Sequence, residues 1–223
     1  MDHPQTFSEF RLQAHSAKKR IILNAAIKVF SEKALQKASL REIAENAGIS
    51  HAAIYRYFRD KQELFLEAFL FKARELTSLL ESRVQVSTTD KSNLQITAET
   101  LIDFLRENEH YFAMMTQFML QGSIAEEARQ QLDLTMKGLM DRIESAIQAD
   151  GHRGQTRFLA HTFFSSLNGL LISYYNYPGR SREEVDQHIK ILKSILVQIF
   201  QDGFRAGNCL DCIPQEEERQ DPP

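Results

Sequence analysis

Residues 51–61 carry the side chains best suited to contact nucleic acid. The segment opens on a turn of little bulk, His51-Ala52-Ala53, which would let a helix approach the floor of a groove. No carboxylate lies between Ser50 and Arg59, so nothing there repels a phosphate. Hydroxyl and cationic donors for phosphates and base edges follow at Tyr55, Arg56 and Lys61. These residue types predict a DNA contact, provided that helices hold them on one surface.

Two short helices joined by a tight turn are predicted to position this surface. Ser39 and Glu42 form a capping box that starts the first helix, and Gly48 supplies the left-handed conformation that ends it. Ser50 is a second N-cap two residues later. Such a pair of helices is a helix-turn-helix, whose second helix can lie in the DNA major groove. An ordinary helical hairpin within a core would carry the same caps, but the outer face favours DNA binding.

A third helix precedes this pair in the predicted unit. Its apolar stripe consists of Ile21, Ile22, Ala25, Ala26, Val29 and Phe30. The other two helices turn their own apolar side inward at Ile43, Ala44, Ala47, Ile54, Tyr57 and Phe58. These faces predict one small helical domain that leaves the hydroxyl and cationic side chains outside.

The segment Lys19–Leu64 resembles the N-terminal domain of the TetR (tetracycline-repressor-like) transcriptional regulators. The agreeing positions are Arg20-Ile21-Ile22-Leu23-Asn24-Ala25-Ala26, Val29-Phe30, Ile43-Ala44, Ala47-Gly48-Ile49-Ser50, Ile54-Tyr55, Tyr57-Phe58, Lys61 and Leu64. The family often has Gly, Thr and Gly where this chain has Ala34, Ala38 and Ala52. Ala34 removes an easy left-handed cap, so the first helix is expected to run on or to end in a tighter turn.

The resemblance implies how this domain would touch DNA. Phosphate contacts are assigned to Ser39, Tyr55, Tyr57 and Lys61, and base-edge contacts to Arg41, His51, Ala53 and Arg56. Ser50 and Ala52 complete the predicted DNA-binding set. The methyl group of Ala52 would touch a thymine methyl or slightly change the docking distance.

Charge is unevenly distributed along the chain, whose formal net charge is −3. Residues 1–74 contain 13 Lys and Arg against 8 Asp and Glu, whereas residues 75–223 contain 14 against 22. A basic N-terminal part joined to an acidic remainder suits a protein of which one part binds nucleic acid. The sequence has no apolar run of membrane-spanning length and no signal-peptide core, so a soluble, cytoplasmic protein is expected.

Helical spacing of apolar residues continues almost throughout the chain and predicts an all-α fold. We expect a mobile N-terminal arm at 1–15, a helix-turn-helix DNA-binding domain at 16–62, a helical ligand-binding and dimerisation domain at 63–207 and a loose tail at 208–223. The tail holds Cys209 and Cys212, whose spacing fits half a zinc site or a redox pair. No second pair of ligands has suitable spacing, so incidental thiols are favoured, and no metal or cofactor is predicted.

Two helices near the C-terminus are too apolar for a single partner. They span residues 155–177 and 181–206, and Ser165, Ser166 and Gly169 on the first would let another helix approach closely. Burial inside one subunit is the alternative. Resemblance to the TetR family implies instead a four-helix interface between two copies, through residues about 155–206. A twofold dimer would match the twofold symmetry of an operator.

Methionine and aromatic residues in the middle of the chain form the predicted ligand site. The set is Phe112, Met115, Phe118, Met119, Met136, Met140, His161, Phe164, Asn168 and Tyr175. Such surfaces adapt to varied apolar guests, although plain core packing explains each residue taken singly. The existence of a pocket rests on the resemblance, which implies a small apolar or amphipathic effector.

The predicted function is that of a homodimeric, sequence-specific DNA-binding transcriptional regulator, a repressor released by that effector. An enzyme is not expected, since the chain lacks a Gly-x-Ser-x-Gly nucleophile motif and a P-loop. The alternative is a helical protein–protein adaptor that has the same fold without operator-specific DNA binding. Such an adaptor would fail to bind DNA even at low salt.

Overall fold

A computed structural model describes residues 7–85, 91–121, 124–175 and 177–206 of the chain. The described residues form nine α-helices and no strand, which confirms the prediction of an all-α chain. The helices are α1 (Phe7–Glu32), α2 (Leu40–Ala47), α3 (His51–Ile54), α4 (Lys61–Gln85), α5 (Asn93–Glu107), α6 (Glu109–Gln121), α7 (Glu126–Ala149), α8 (Thr156–Tyr174) and α9 (Arg182–Ala206). The predicted loose tail, with Cys209 and Cys212, lies outside the described residues.

The chain divides into two compact units. The first contains residues 1–79 and 103–138, and the second contains residues 80–102 and 139–223. Helices α4, α5 and α7 each contribute residues to both units. The domain boundary predicted between residues 62 and 63 falls inside the first unit, and it stays a prediction.

Helix α1 begins earlier than the sequence suggests. Residues 7–15, predicted as part of a mobile arm, form its first turns, while residues 1–6 lie outside the described part of the chain. The ring of His15 stacks on that of Tyr57 with 4.6 Å between centroids. This contact gives the early turns of α1 a partner that is distant in sequence, which local polarity does not reveal.

The end of α1 shows how the chain manages without a glycine at position 34. The helix ends at Glu32, and a tight turn follows in which the backbone N–H of Lys37 donates to the Ala34 carbonyl at 2.9 Å. Among the described residues, every positive φ belongs to a glycine, so Ala34 is not left-handed. The structure therefore confirms the tighter turn, one of the two outcomes expected for this alanine.

Aromatic packing joins α1, α4 and α6 in the first unit. Phe30 meets Phe65 edge to face, with 5.2 Å between ring centroids, and Phe65 also packs against Phe118 at 5.2 Å. Phe69 lies against both Phe118 and Tyr111. Because Phe30 and Phe65 are almost fully buried, this cluster fixes where α4 and α6 stand beside α1.

Helices α8 and α9 pack against each other in the second unit. The buried residues of α8 are Thr156, Ala160, Phe163, Phe164, Leu167, Asn168 and Leu171. The ring of Phe163 meets that of Phe200 at 5.0 Å. In the same unit the Asp150 carboxylate accepts hydrogen bonds from the backbone N–H groups of Asn93 and Leu94 at 2.8 and 2.9 Å. It thereby satisfies two donors that the start of α5 would otherwise leave unpaired.

Candidate functional site

Helix α2 is held at both ends by the residues that the sequence predicts. The Ser39 hydroxyl oxygen accepts a hydrogen bond from the Glu42 backbone N–H at 3.2 Å, and Gly48 adopts the left-handed conformation with φ of 66°. The Glu42 carboxylate takes Lys33 as its partner, at 2.5 Å from the ammonium nitrogen, and raises the pKa of Lys33 above its ordinary value. Ser39 uses its oxygen as the cap acceptor, so its hydroxyl proton can serve a phosphate.

Helix α3 is shorter than expected, because its regular part ends at Ile54. The chain continues as a turn in which the N–H groups of Tyr57 and Phe58 donate to the Ile54 carbonyl at 2.9 and 3.1 Å. Ser50 has the extended backbone of an N-cap, but its side chain makes no cap hydrogen bond. Burial of Ile54 and Phe58 still orients the segment, and the Ser50 hydroxyl is not occupied by capping.

The outer face of α3 and of the turn that follows it presents the predicted donors together. His51, Ala52, Tyr55 and Arg56 are exposed, whereas Ala53 is half-buried. The rings of His51 and Tyr55 meet edge to face at 5.2 Å. Within the described part of the chain, the Arg56 guanidinium has no ion-pair partner. This face therefore offers an imidazole, a phenol and a free cation within two turns.

Arg41 on α2 has a competing partner. Its guanidinium lies 3.1 Å from the Glu45 carboxylate one turn later, and both side chains are largely exposed. An exposed ion pair of this kind contributes little free energy, roughly 0–1 kcal/mol. Arg41 can therefore exchange Glu45 for another anion at small cost.

Lys61 and Tyr57 are tied into the protein more firmly than the sequence suggests. The Lys61 ammonium donates to the carbonyls of Gln36 and Ala38 at 3.1 and 2.7 Å, which joins the start of α4 to the turn before α2. One of its three protons remains for a phosphate. Tyr57 is half-buried under His15, a neighbour that sequence reasoning missed because no local spacing links the two residues.

Comparison with known proteins agrees with this geometry. Residues 22–68 match the model of a family described as bacterial regulatory proteins, tetR family. The N-terminal domain belongs to the TetR family. The match contains α2, α3 and the start of α4, so it covers the helix-turn-helix and the Lys61 anchor of this TetR-family domain.

Likeness to TetR-family proteins extends beyond that domain. Over 136 residues the chain is 24% identical to the fatty acid metabolism regulator protein of Bacillus subtilis, which covers 61% of this chain and 69% of that protein. It is structurally similar to a transcriptional regulator FadR from Bacillus subtilis in complex with stearoyl-CoA, with a TM-score of 0.68 and 19% identity. The likeness covers 82% of this chain and 98% of that one. It is also similar to a TetR family transcription regulator from Marinobacter aquaeolei VT8, with a TM-score of 0.65 and 18% identity. That likeness covers 85% of this chain and 96% of the other. At these identities the likeness shows that the covered part of the chain has the fold of TetR-family regulators.

Five of the predicted ligand residues lie in the first unit of this TetR-family fold. Phe112 and Met115 are buried on α6, and Met136 on α7 is half-buried. Phe118 is half-buried in the aromatic cluster with Phe65 and Phe69, while Met119 is exposed.

The other five predicted ligand residues lie in the second unit. Met140 and Phe164 are buried, and Asn168 is buried with a side-chain oxygen that has no hydrogen-bond partner among the described residues. His161 and Tyr175 are exposed. That the two sets line one cavity stays a prediction.

Helices α8 and α9 keep large apolar side chains at the surface. Phe158, Ile172, Ile191, Ile195 and Ile199 are 50%, 51%, 50%, 49% and 60% exposed. Other residues of α8 are buried in the subunit's own core, so these exposed side chains are not part of that core. Such side chains, repeated along two adjacent helices, mark a face suited to another protein surface.

The described residues contain neither a metal-binding cluster nor a membrane-spanning helix. No group of three His, Cys, Asp or Glu side chains in them lies close enough to hold a metal ion. None of the described helices combines the length and the apolar character needed to cross a bilayer.

Proposed function

We propose that this chain is a homodimeric, sequence-specific DNA-binding regulator, a repressor whose operator binding is released by an amphipathic ligand with an acyl chain. The observation that carries the proposal is the outer face of α3 and of the turn that follows it. His51, Tyr55 and Arg56 stand exposed there beside the small Ala52, and no carboxylate shares that turn. In a helix-turn-helix such a face reads base edges in the major groove.

A second copy of the chain is the proposed occupant of the exposed face of α8 and α9. Ile191, Ile195 and Ile199 are spaced by four residues, so they form one stripe along α9. Twofold pairing places the same stripe on both subunits, which makes the interface self-complementary. It also presents two α3 helices to the two half-sites of an operator.

The acyl ligand is proposed from two kinds of support. The Bacillus subtilis relative is a fatty acid metabolism regulator, and a structural neighbour is in complex with stearoyl-CoA. In this chain the predicted ligand set includes buried apolar side chains, such as Met115, Met140 and Phe164. The unpaired oxygen of Asn168 supplies a buried polar group that a ligand donor could satisfy.

Selection from random duplex DNA tests the proposal directly. The full chain should enrich a palindromic sequence whose half-site centres lie about one helical turn apart, roughly 34–36 Å. A variant with Arg56→Ala should enrich a sequence relaxed at one position in each half-site. If neither specific nor low-salt DNA binding is found, the chain is the alternative helical adaptor.

Ligand response is tested with the selected operator. Acyl-CoA thioesters of increasing chain length should release the operator fragment, and CoA alone should not. The coupling must be reciprocal, so operator DNA should weaken acyl-CoA binding by the same factor. An acyl-CoA that binds tightly without changing operator affinity would refute the coupling.

A further inference from the structure

A groove in the first unit lies outside the predicted DNA and ligand residues. Its volume is about 490 Å³, within the range typical of small-molecule sites. Helix α1 contributes Gln13, Ser16, Ala17, Lys19, Arg20 and Leu23, and α4 contributes Glu67, Phe71 and Arg74. Both walls are helices, so the groove does not depend on a loop.

The charges in this groove do not cancel. Lys19 and Glu67 neutralise each other through an ion pair of 3.1 Å. In the part of the chain that the structure describes, Arg20 and Arg74 have no ion-pair partner. One groove therefore carries two unpaired guanidinium groups, the side chains best suited to hold phosphate or carboxylate oxygens.

The remaining lining gives the groove an apolar floor and a polar rim. Leu23 is buried and Phe71 half-buried, so a ligand body laid against them would lose contact with water. Gln13 and Ser16 add neutral hydrogen-bonding groups on one wall. A bare inorganic anion would use the arginines but gain nothing from the floor.

We propose that this groove binds an amphipathic phosphate monoester, with the phosphate between Arg20 and Arg74 and the organic body on Phe71 and Leu23. A phosphate monoester carries a charge of about −1.5 to −2 near neutral pH, which matches two unpaired cations. DNA fits less well, because its backbone has no apolar body for the floor. The site is independent of the acyl-ligand proposal, since it shares no residue with that set.

The probe is hexyl phosphate, titrated calorimetrically into the full-length chain in phosphate-free buffer. Arg20→Gln and Arg74→Gln should each weaken binding by at least about tenfold, because each removes a charge-assisted contact. Arg20→Lys and Arg74→Lys keep the charge but lose the planar fork, and should give intermediate losses. Arg129→Gln, on the exposed surface of α7, is the matched control and should bind as wild type.

Methyl phosphate tests the apolar floor. Hexyl phosphate should bind at least about tenfold more tightly, the ratio expected from burying roughly two methylene groups. Phe71→Ala should reduce that ratio and leave methyl phosphate binding unchanged. Thermal melts of every variant establish that the fold is intact before binding is compared.

The proposal is overturned if hexyl phosphate does not bind, or if the arginine variants bind it as tightly as wild type. Equal affinity for hexyl and methyl phosphate would also overturn it. So would binding to phosphatidic acid vesicles without binding of soluble hexyl phosphate. The last would make the groove a membrane contact. Loss of operator affinity in the arginine variants, with hexyl phosphate binding unchanged, would assign both arginines to the DNA backbone instead.

Discussion

The side chain of Gln117 on α6 forms hydrogen bonds at the C-terminal end of α1, where it binds the backbone of Ala34. With the amide oriented to satisfy both neighbours, its oxygen accepts from the Ala34 backbone N–H at 3.1 Å and its nitrogen donates to the Phe30 carbonyl at 2.9 Å. A side chain from another helix thus pairs the backbone groups that a left-handed glycine would have helped to satisfy. Ser31 and His110 form a second hydrogen bond between the same two helices, at 3.0 Å.

Replacing Gln117 should therefore destabilise the first unit. Gln117→Leu leaves the Ala34 N–H and the Phe30 carbonyl without these partners, and should lower the free energy of unfolding by about 1–3 kcal/mol. Gln130→Leu makes the same change at an exposed position on α7 and should stay within about 0.5 kcal/mol of wild type. Urea denaturation measures both. Equal effects of the two substitutions would show that Gln117 does not secure the end of α1.

Local signals in the sequence were enough to locate α2. Its start at Ser39 and its end at Gly48 depend on groups within a few residues, which is why the capping pattern predicts them correctly. The apolar stripes likewise predict that Phe30 and Ile54 are buried. The residue types of the outer face predict a DNA contact, and the family resemblance then assigns the individual contacts to phosphates and base edges.

Contacts between distant residues were not predictable in the same way. No local pattern links Gln117 to Ala34, because their proximity exists only after α6 packs on α1. The contact between His15 and Tyr57 is hidden from local patterns for the same reason, since Tyr57 lies in the turn after α3, far along the chain from His15. The actual partner of Glu42 was also missed, because Lys33 lies outside the capping motif.

His152 should make stability depend on pH. Burial lowers the pKa of its imidazole below the ordinary 6.5, so between these two pKa values the unfolded chain binds more protons than the folded chain. The contribution of His152 to the free energy of unfolding is therefore fully present above about pH 6.5. It is lost as the pH falls towards the lowered pKa. His152→Gln should flatten this part of the profile, as measured by urea denaturation from pH 7.5 to about 5. His161→Gln, at an exposed position of α8, is the control; a profile unchanged in both variants would rule out His152 as the source.

Substitutions of Arg56 and Lys61 should change the salt dependence of DNA affinity in different ways. Arg56→Ala should cost about 1–3 kcal/mol of operator affinity and relax specificity at one position, because Arg56 is assigned to a base edge. Lys61→Ala should weaken binding to all DNA sequences alike and reduce the salt slope by about one. Titrations of operator and unrelated DNA at several salt concentrations separate the two effects.

Lys61 needs a second measurement, because its ammonium also binds the Gln36 and Ala38 carbonyls. Lys61→Ala should lower the free energy of unfolding as well as DNA affinity, so DNA binding is compared at a temperature where each variant is fully folded. Arg59→Ala is the matched loss of a cation, since the Glu63 carboxylate already engages that side chain at 3.3 Å. An Arg59 effect as large as that of Arg56 would contradict the assignment of a base contact to Arg56.

Ile195 offers the sharpest test of dimerisation. It is 49% exposed within one subunit, so a glutamate at this position would remain solvated in a monomer and cost the monomer little. In the proposed dimer, Ile195→Glu would bury an unpaired carboxylate on both sides of the interface, which is strongly unfavourable. Sedimentation should therefore show monomers that retain helical structure, and operator affinity should collapse because the two half-sites are no longer bound together. Lys190→Glu makes a larger change of charge at an exposed position of α9 outside the apolar stripe, and should leave the dimer intact. A wild-type chain that sediments as a stable monomer, or an Ile195→Glu variant that still dimerises, would remove this face as the interface.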